Sequence, residues 1–504
     1  MSTSRHSERN PAGPSKSKRL LLEHGPSDVP SRRGGLVISA STLLASRQAS
    51  AVQVPDNVVQ PSCPASDTEW FTSRPSWLQV VRHDDADDLL GSSPTPSCAR
   101  PCSEPSLATA PGSQTDEVDL SSAVITSTWP LHNEEELKLM RYYLENIARR
   151  FDLCDPERHF ATTVPWRAAL CQPLQDAMFA LSARCLSRMT TFNPYVSNMY
   201  YQRCLQQLIP SLAGPDALND QDLFATVTLL RALEEIDYPL FGADSRNHLF
   251  GSHLFVRATT ANLDDGQHCE TKPRHLTGLQ RAAALVAFRQ ELYTAFSAQR
   301  PANRAFCPAN IDTDLGTTAS DSTWTNRILL HLVNALDFCF ASGPCGTEEL
   351  ISMHRHLWTS AETWFKAKPP SFDAIEHAAT PDKKLGLKTW ILSDVAATGL
   401  LNYHLLRILL LLFDPLRDCS VDEQDERIKQ EVVLLIALAN GNPQCAPNFL
   451  FACQGIAMAG DRFRDKQEQE ELLDFVRKTD SLHGCNSEKT QKYLNEAWSR
   501  SKPR

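Results

Sequence analysis

Beyond residue 130 the chain carries one dominant signal: apolar side chains return every three or four positions, run after run, to its end. That spacing is the period of one helix face, and it leaves little room for the every-second-residue alternation of a half-buried strand. In LHNEEELKLMRYYLENIARRF it aligns Leu137, Met140, Leu144, Ile147 and Phe151. QPLQDAMFALSARCLSR aligns Leu174, Met178, Leu181 and Cys185. NDQDLFATVTLLRALEEID aligns Phe224, Val227, Leu230 and Leu233, with Asn219 or Asp220 placed to cap it. Helical patterns continue through LQRAAALVAFRQELYTAF, ILLHLVNALDFCF, TEELISMHRHLWTSAETWF, LGLKTWILSDVAATGLLNYHLLRILLLLF, ERIKQEVVLLIALAN and NFLFACQGIAMAGDRF. EQEELLDFVRKTDSLHG and SEKTQKYLNEAW close the chain. Strand-like alternation shows only briefly, around HLFVRATT, and no fixed-period repeat supports a solenoid. The expected fold is all-α: one large multi-helix domain over residues 131–504.

Residues 1–130 have a different texture. GSSPTPSCARPCSEPSLATAPGSQTDE is typical: rich in Ser, Pro, Thr and Ala, with no apolar period that survives more than a turn. Such a segment buries too little to offset its chain entropy and is expected to be disordered. Its opening, MSTSRHSERNPAGPSKSKR, is polar and lacks the apolar core of a secretory signal. The fifteen cysteines are therefore expected to be reduced, most of them as small core residues. A formal net charge of −10 gives the chain no basic footprint for phosphate backbones. The most apolar run, GLLNYHLLRILLLLFDP, is interrupted by Asn402, His404 and Arg407 and reads as a buried helix, so no membrane association is expected.

FDLCDPERHF interrupts the first helical run. It gathers Cys154, Asp155, Glu157, Arg158 and His159, a set that resembles a catalytic or metal cluster. It also reads as a corner: Pro156 cannot continue a helix and Asp155 can cap the next one. Nothing elsewhere completes a nucleophile or metal pattern, so the corner is the preferred reading.

The order of the helical runs resembles the fungal-specific transcription factor domain, the helical region downstream of the DNA-binding head in fungal zinc-cluster regulators. MRYYLENIARRFDLCDPERHF followed by ALCQPLQDAMFALSARCLSR resembles its opening, and AFRQELYTAFSAQRP its central helix. HLWTSAETWFKAKPPSFDAI, LLNYHLLRILLLLFDP and AMAGDRFRDKQEQEELLDFV with a closing Trp498 resemble its second half. The similarity spans residues 131–500 or so. It implies a nuclear regulator of transcription, controlling a metabolic or resistance gene set through a regulatory and dimerisation domain. Its partners would be a second copy or another regulator, and a small-molecule effector would tune it. The family's six-cysteine zinc cluster has no counterpart here. The first 130 residues offer only Cys63, Cys98 and Cys102, too few thiols for the two-zinc site, so no zinc or DNA contact carries over. Either the head is lost, or it lies upstream of this sequence, or a partner binds DNA.

Four other stretches carry chemistry-bearing residues. In HDDADDLL, Asp84, Asp85 and Asp88 match the D-D-x-x-D pattern by which helical terpenoid synthases hold magnesium, and Asp87 extends it. That makes a magnesium-dependent terpenoid-type enzyme the rival reading. No second metal motif follows, and the stretch reads as a solvated linker or, with Trp70, Phe71, Trp77 and Leu78, as an acidic-aromatic interaction segment. Lys16, Lys18 and Arg19 with Arg32 and Arg33 form a candidate bipartite nuclear signal. His268, Cys269 and His275 lack a fourth ligand at zinc spacing, and His354 and His356 sit two apart on a helix, on different faces. With no phosphate-binding Gly-rich loop, G-x-S-x-G or H-E-x-x-H, the chain is expected to be no enzyme and to need no cofactor.

This reading has a direct consequence for DNA. The thin basic clusters can neutralise only a few phosphates and nothing presents a rigid element to base edges. In fluorescence anisotropy at near-physiological salt the purified chain is expected to bind duplex DNA weakly, without sequence preference and with steep salt dependence. Nanomolar, sequence-selective binding would overturn the expectation.

Overall fold

The computed structural model describes residues 131–237, 247–260, 276–308, 311–341, 346–416 and 420–500. Fourteen helices and one short hairpin account for nearly all regular structure among them, as the all-α expectation requires. The first helix, α1, runs from Glu134–Tyr142 through a π-helical turn, Tyr143–Ile147, into Ala148–Phe151. After it come α2 (His159–Ala168), α3 (Gln172–Met189), α4 (Pro194–Leu212), α5 (Gln221–Asp237), α6 (Asn247–Thr260) and α7 (Gly278–Ser297). The second half holds α8 (Asp321–Phe340), α9 (Thr347–Ala367), the hairpin β1 (Glu376–Ala379) and β2 (Leu387–Trp390), and α10 (Asp394–Leu412). It ends in α11 (Val421–Gly441), α12 (Ala446–Ala459), α13 (Lys466–His483) and α14 (Glu488–Arg500). Side-chain caps start many of them: Asn133, Ser320, Ser393 and Asp465 accept from the backbone N–H three residues on. Thr277 with Gln280 and Ser420 with Glu423 close full capping boxes.

The structure revises three sequence expectations. On α1 Met140, Ile147 and Phe151 are buried as expected, but Leu137 and Leu144 are exposed and Glu136, Leu139 and Tyr143 take the buried positions instead. Glu136 can occupy its position because its carboxylate accepts from Tyr200 Oη at 3.1 Å and from the His132 N–H at 2.7 Å. HLFVRATT is not strand but the second half of α6. Ser252, Phe255 and Val256 are buried at helical spacing, and packing on α5 and α7 overrides the β-branched composition. The long run beginning LGLKTWIL is not all helix: its first residues form β2, and the helix starts only after the Ser393 cap. β2 is held by the end of α11. Asn442 Nδ2 donates to the Thr389 carbonyl at 3.2 Å, and a Cβ on Gly441 would lie 2.0 Å from that same oxygen. Elsewhere the readings hold: Leu174, Met178, Leu181, Cys185, Phe224, Val227, Leu230 and Leu233 are buried, and Asp220 caps α5.

Two helices organise the bundle. α7 touches α2, α5, α6, α8 and α12, and is buried on nearly every side. It carries three consecutive polar residues inward, each tied to a different segment. Arg289 Nη2 donates to the Phe151 carbonyl at 2.7 Å, and Gln290 Nε2 to the Thr228 carbonyl at 3.2 Å. Glu291 accepts from Arg300 at 2.6 and 3.0 Å and from the Asn303 N–H at 2.7 Å. α10 packs against α8, α9, α11 and α12. By length and apolarity it would pass for a membrane span, yet 89% of its most apolar window is buried within the bundle. Most of its polar groups find partners there. Thr398 donates to Asn448 at 2.7 Å, His404 to Glu431 at 2.7 Å, and Arg407 Nε to Glu431 at 2.6 Å.

FDLCDPERHF is the corner between α1 and α2. Asp152, unremarked in the sequence, does most of the capping: its carboxylate accepts from the Phe160 and Ala161 N–H groups at 2.8 and 2.9 Å. Asp155 accepts from the His159 N–H and from His159 Nδ1, both at 2.8 Å. Arg158 takes a left-handed φ of 55°, which reverses the chain into α2. Burial raises the Asp152 carboxyl to about 6, against the pull of its two N–H donors, and pushes the Cys154 thiol up, so that the thiol stays protonated. The set is architecture rather than a nucleophile. Asp152→Ala is expected to cost about 1–2 kcal/mol in urea denaturation, whereas Glu157→Ala, two-thirds exposed, should be near neutral.

Candidate ligand cavity

The cavity lies where the two halves meet. α1, α3, α5 and α7 wall one side; α12 and the end of α13 wall the other. Its volume is about 130 Å³ behind an open mouth, below the roughly 300–1,000 Å³ of drug-sized sites, so it has room for a small ligand. The walls are mainly apolar: Ile147, Leu181, Ile236, Val286, Leu450 and Phe451 contribute. Helical periodicity puts each of them on its helix's inner face, so the cavity arises from the same amphipathic pattern that builds the core.

A few polar groups converge on this apolar space. Glu235 is spoken for by Arg231, whose Nε lies 3.4 Å from its carboxylate. Arg289 is tethered to the end of α1 through the Phe151 carbonyl. Three further groups line the cavity with buried atoms that find no partner among the described residues: Arg150 Nε, Gln290 Oε1 and His483 Nε2. Gln290 is 6% exposed and His483 7%. Three such atoms give the cavity a polar side that a ligand or water can satisfy. His483 ends α13 beside Gly484, whose φ of 70° makes the left-handed cap that turns Cys485 toward the same cavity wall. Burial, aided by the charges of Arg150 and Lys478, pushes the His483 pKa down to about 3. Burial also pushes the Cys185 and Cys485 thiols up, so neither brings a thiolate to the cavity.

None of these three residues stood out in the sequence. Arg150 reads as one of a pair in ARRF, Gln290 as a helix surface residue, and His483 as a charged C-terminal residue. The one usable signal was AFRQEL, three consecutive polar residues inside an otherwise apolar helix. The stretches that did stand out fall elsewhere. Lys16, Lys18, Arg19, Arg32, Arg33, Trp70, Phe71, Trp77, Leu78, Asp84, Asp85, Asp87 and Asp88 lie outside the described residues, as do Cys63, Cys98, Cys102, His268, Cys269 and His275. His354 and His356 point apart as expected: His354 is buried and donates to the Leu410 carbonyl at 2.9 Å, while His356 is exposed. Among the described residues no group of three His, Cys, Asp or Glu side chains is placed to hold a metal ion. Comparison with family models, curated proteins and solved structures yields no match to this chain.

The buried imidazole makes stability depend on pH with a definite sign. Folded His483 stays neutral down to about 3, while in the unfolded chain it takes up a proton near 6.5. Its contribution is therefore complete above pH 6.5 and is lost as pH falls toward 3. In urea denaturation the wild-type midpoint should fall more between pH 7 and pH 5 than that of His483→Gln. Parallel profiles would remove His483 from the account.

Proposed function

We propose that the chain is a regulator of transcription whose helical domain responds to a small, mainly apolar effector. The cavity carries this reading. It is walled by helices from both ends of the domain, so an occupant touches α1 and α13 at once and favours the arrangement that holds them together. The order of the helical runs, with its resemblance to the regulatory domain of fungal zinc-cluster regulators, supplies the biological setting: the nucleus, a second copy or another regulator as partner, and DNA reached through that partner or a segment not in this sequence. The second reading, a magnesium-dependent terpenoid-type enzyme, rests on Asp84, Asp85 and Asp88, and no described residue adds a metal-holding cluster to them.

Fused to a heterologous DNA-binding module at a reporter promoter in fungal nuclei, the chain should change reporter output severalfold. Filling the cavity with Ala232→Phe should alter that response without lowering protein level. A reporter indifferent to the tethered chain would overturn the regulatory reading. A magnesium-dependent product from a prenyl diphosphate, lost in Asp84→Ala, would install the rival.

A further inference from the structure

We infer that the cavity takes a small apolar carboxylic acid, its carboxylate paired with Arg150 and its body lying on the aliphatic and aromatic walls. The inference rests on the effector-cavity reading above and specifies the chemistry of the occupant. It begins from a charge balance. The cavity lining holds three charged side chains, Arg150, Glu235 and Arg289. Glu235 is paired with Arg231, and Arg289 with a backbone carbonyl. Arg150 has neither an ion pair nor a hydrogen bond among the described residues, and its Nε is shielded from solvent. Its neighbour Arg149, by contrast, points outward to Asp394 at 3.5 Å. Arg150 is partly exposed and lines the cavity beside Ile147, Phe151 and Leu181 without a counter-ion, and its planar fork matches a carboxylate.

The other groups narrow the class. Cys185 and Cys485 stay protonated and offer no competing anion. A cationic ligand would meet the charge of Arg150 unopposed. Arg289, bonded to a neutral carbonyl, keeps its positive charge on the same wall, so the cavity favours an anionic head group. Gln290 Oε1, an acceptor without a donor, suits a hydroxyl elsewhere on the ligand, and His483 Nε2, also unpartnered, lies on the same wall system to complete the polar contacts. The remaining surface is apolar, so the rest of the molecule is hydrocarbon or aromatic.

The test is isothermal titration of the full chain at neutral pH with decanoate and with decanol, which share a hydrocarbon body and differ in the charged head. Wild type should bind decanoate at one site, roughly tenfold or more tighter than decanol. Arg150→Gln, which breaks no contact within the protein, should keep its urea midpoint, bind decanol as before and lose the preference for decanoate. Ala232→Phe, which fills the cavity, should abolish binding of both probes. Equal affinity of wild type for the two probes would overturn the carboxylate inference and leave the cavity reading standing. Failure of wild type to bind either, or binding that Ala232→Phe leaves intact, would overturn both.

Discussion

The fold depends on polar groups that α7 carries inward. Burying Arg289, Gln290 and Glu291 side by side costs several kcal/mol in total unless each finds its partner. The partners lie on three different segments: the end of α1, the middle of α5 and the loop after α7 itself. Apolar packing alone would let a central helix slide or rotate by small amounts at little cost. Three directional bonds to separate segments leave α7 one rotation and one height. The cavity inherits its shape from this restraint, because Val286, Arg289, Gln290 and Tyr293 belong both to α7 and to the cavity wall.

α10 follows the same rule in the other half. A helix buried on all sides gains heavily from its leucines but must dispose of Thr398, Asn402, His404 and Arg407. Thr398, His404 and Arg407 use neighbours on α9, α11 and α12, while Asn402 bonds within α10 itself. Arg407 lies over the Trp358 ring at 4.5 Å and pairs with Glu431 and Glu362. Asn402 Nδ2 donates back to the Thr398 carbonyl at 2.8 Å, and Thr398 reaches Asn448. Such inward polar bonds set which helices can flank α10, where the leucines alone would accept any apolar face.

How much of this was legible in the sequence follows from what each feature depends on. Helix existence was legible because it is local: a three-and-four spacing and a cap residue such as Ser393 or Ser420 suffice. Phase was less so. Leu137 is a better core residue than Glu136 by hydropathy alone, and the distant Tyr200 hydroxyl, with the His132 N–H, reverses the choice. The hairpin before α10 was hidden for a similar reason, since LGLKTWIL is apolar enough for either state and the end of α11 decides. Asp152 was overlooked because the residues it caps lie eight and nine positions away, beyond the usual capping distance. The cavity was the least legible of all. A void is defined by which side chains fail to meet, and its polar groups come from helices far apart in the chain.

The π turn at Tyr143–Ile147 sets a phase. There the Ala148 N–H bonds to the Tyr143 carbonyl, five residues back, so one turn of α1 contains an extra residue. Upstream of it the helix docks on α3 at the angle that buries Glu136 and Tyr143; downstream the remaining turn is rotated to present Arg150 to the cavity. Winding the same residues into a regular α-helix, without the wide turn, would rotate the downstream segment by about 100° relative to the upstream one. Arg150 would swing off the wall while every upstream contact stayed in place. A single inserted residue thus acts as a gear between two surfaces with different needs, one that packs and one that receives.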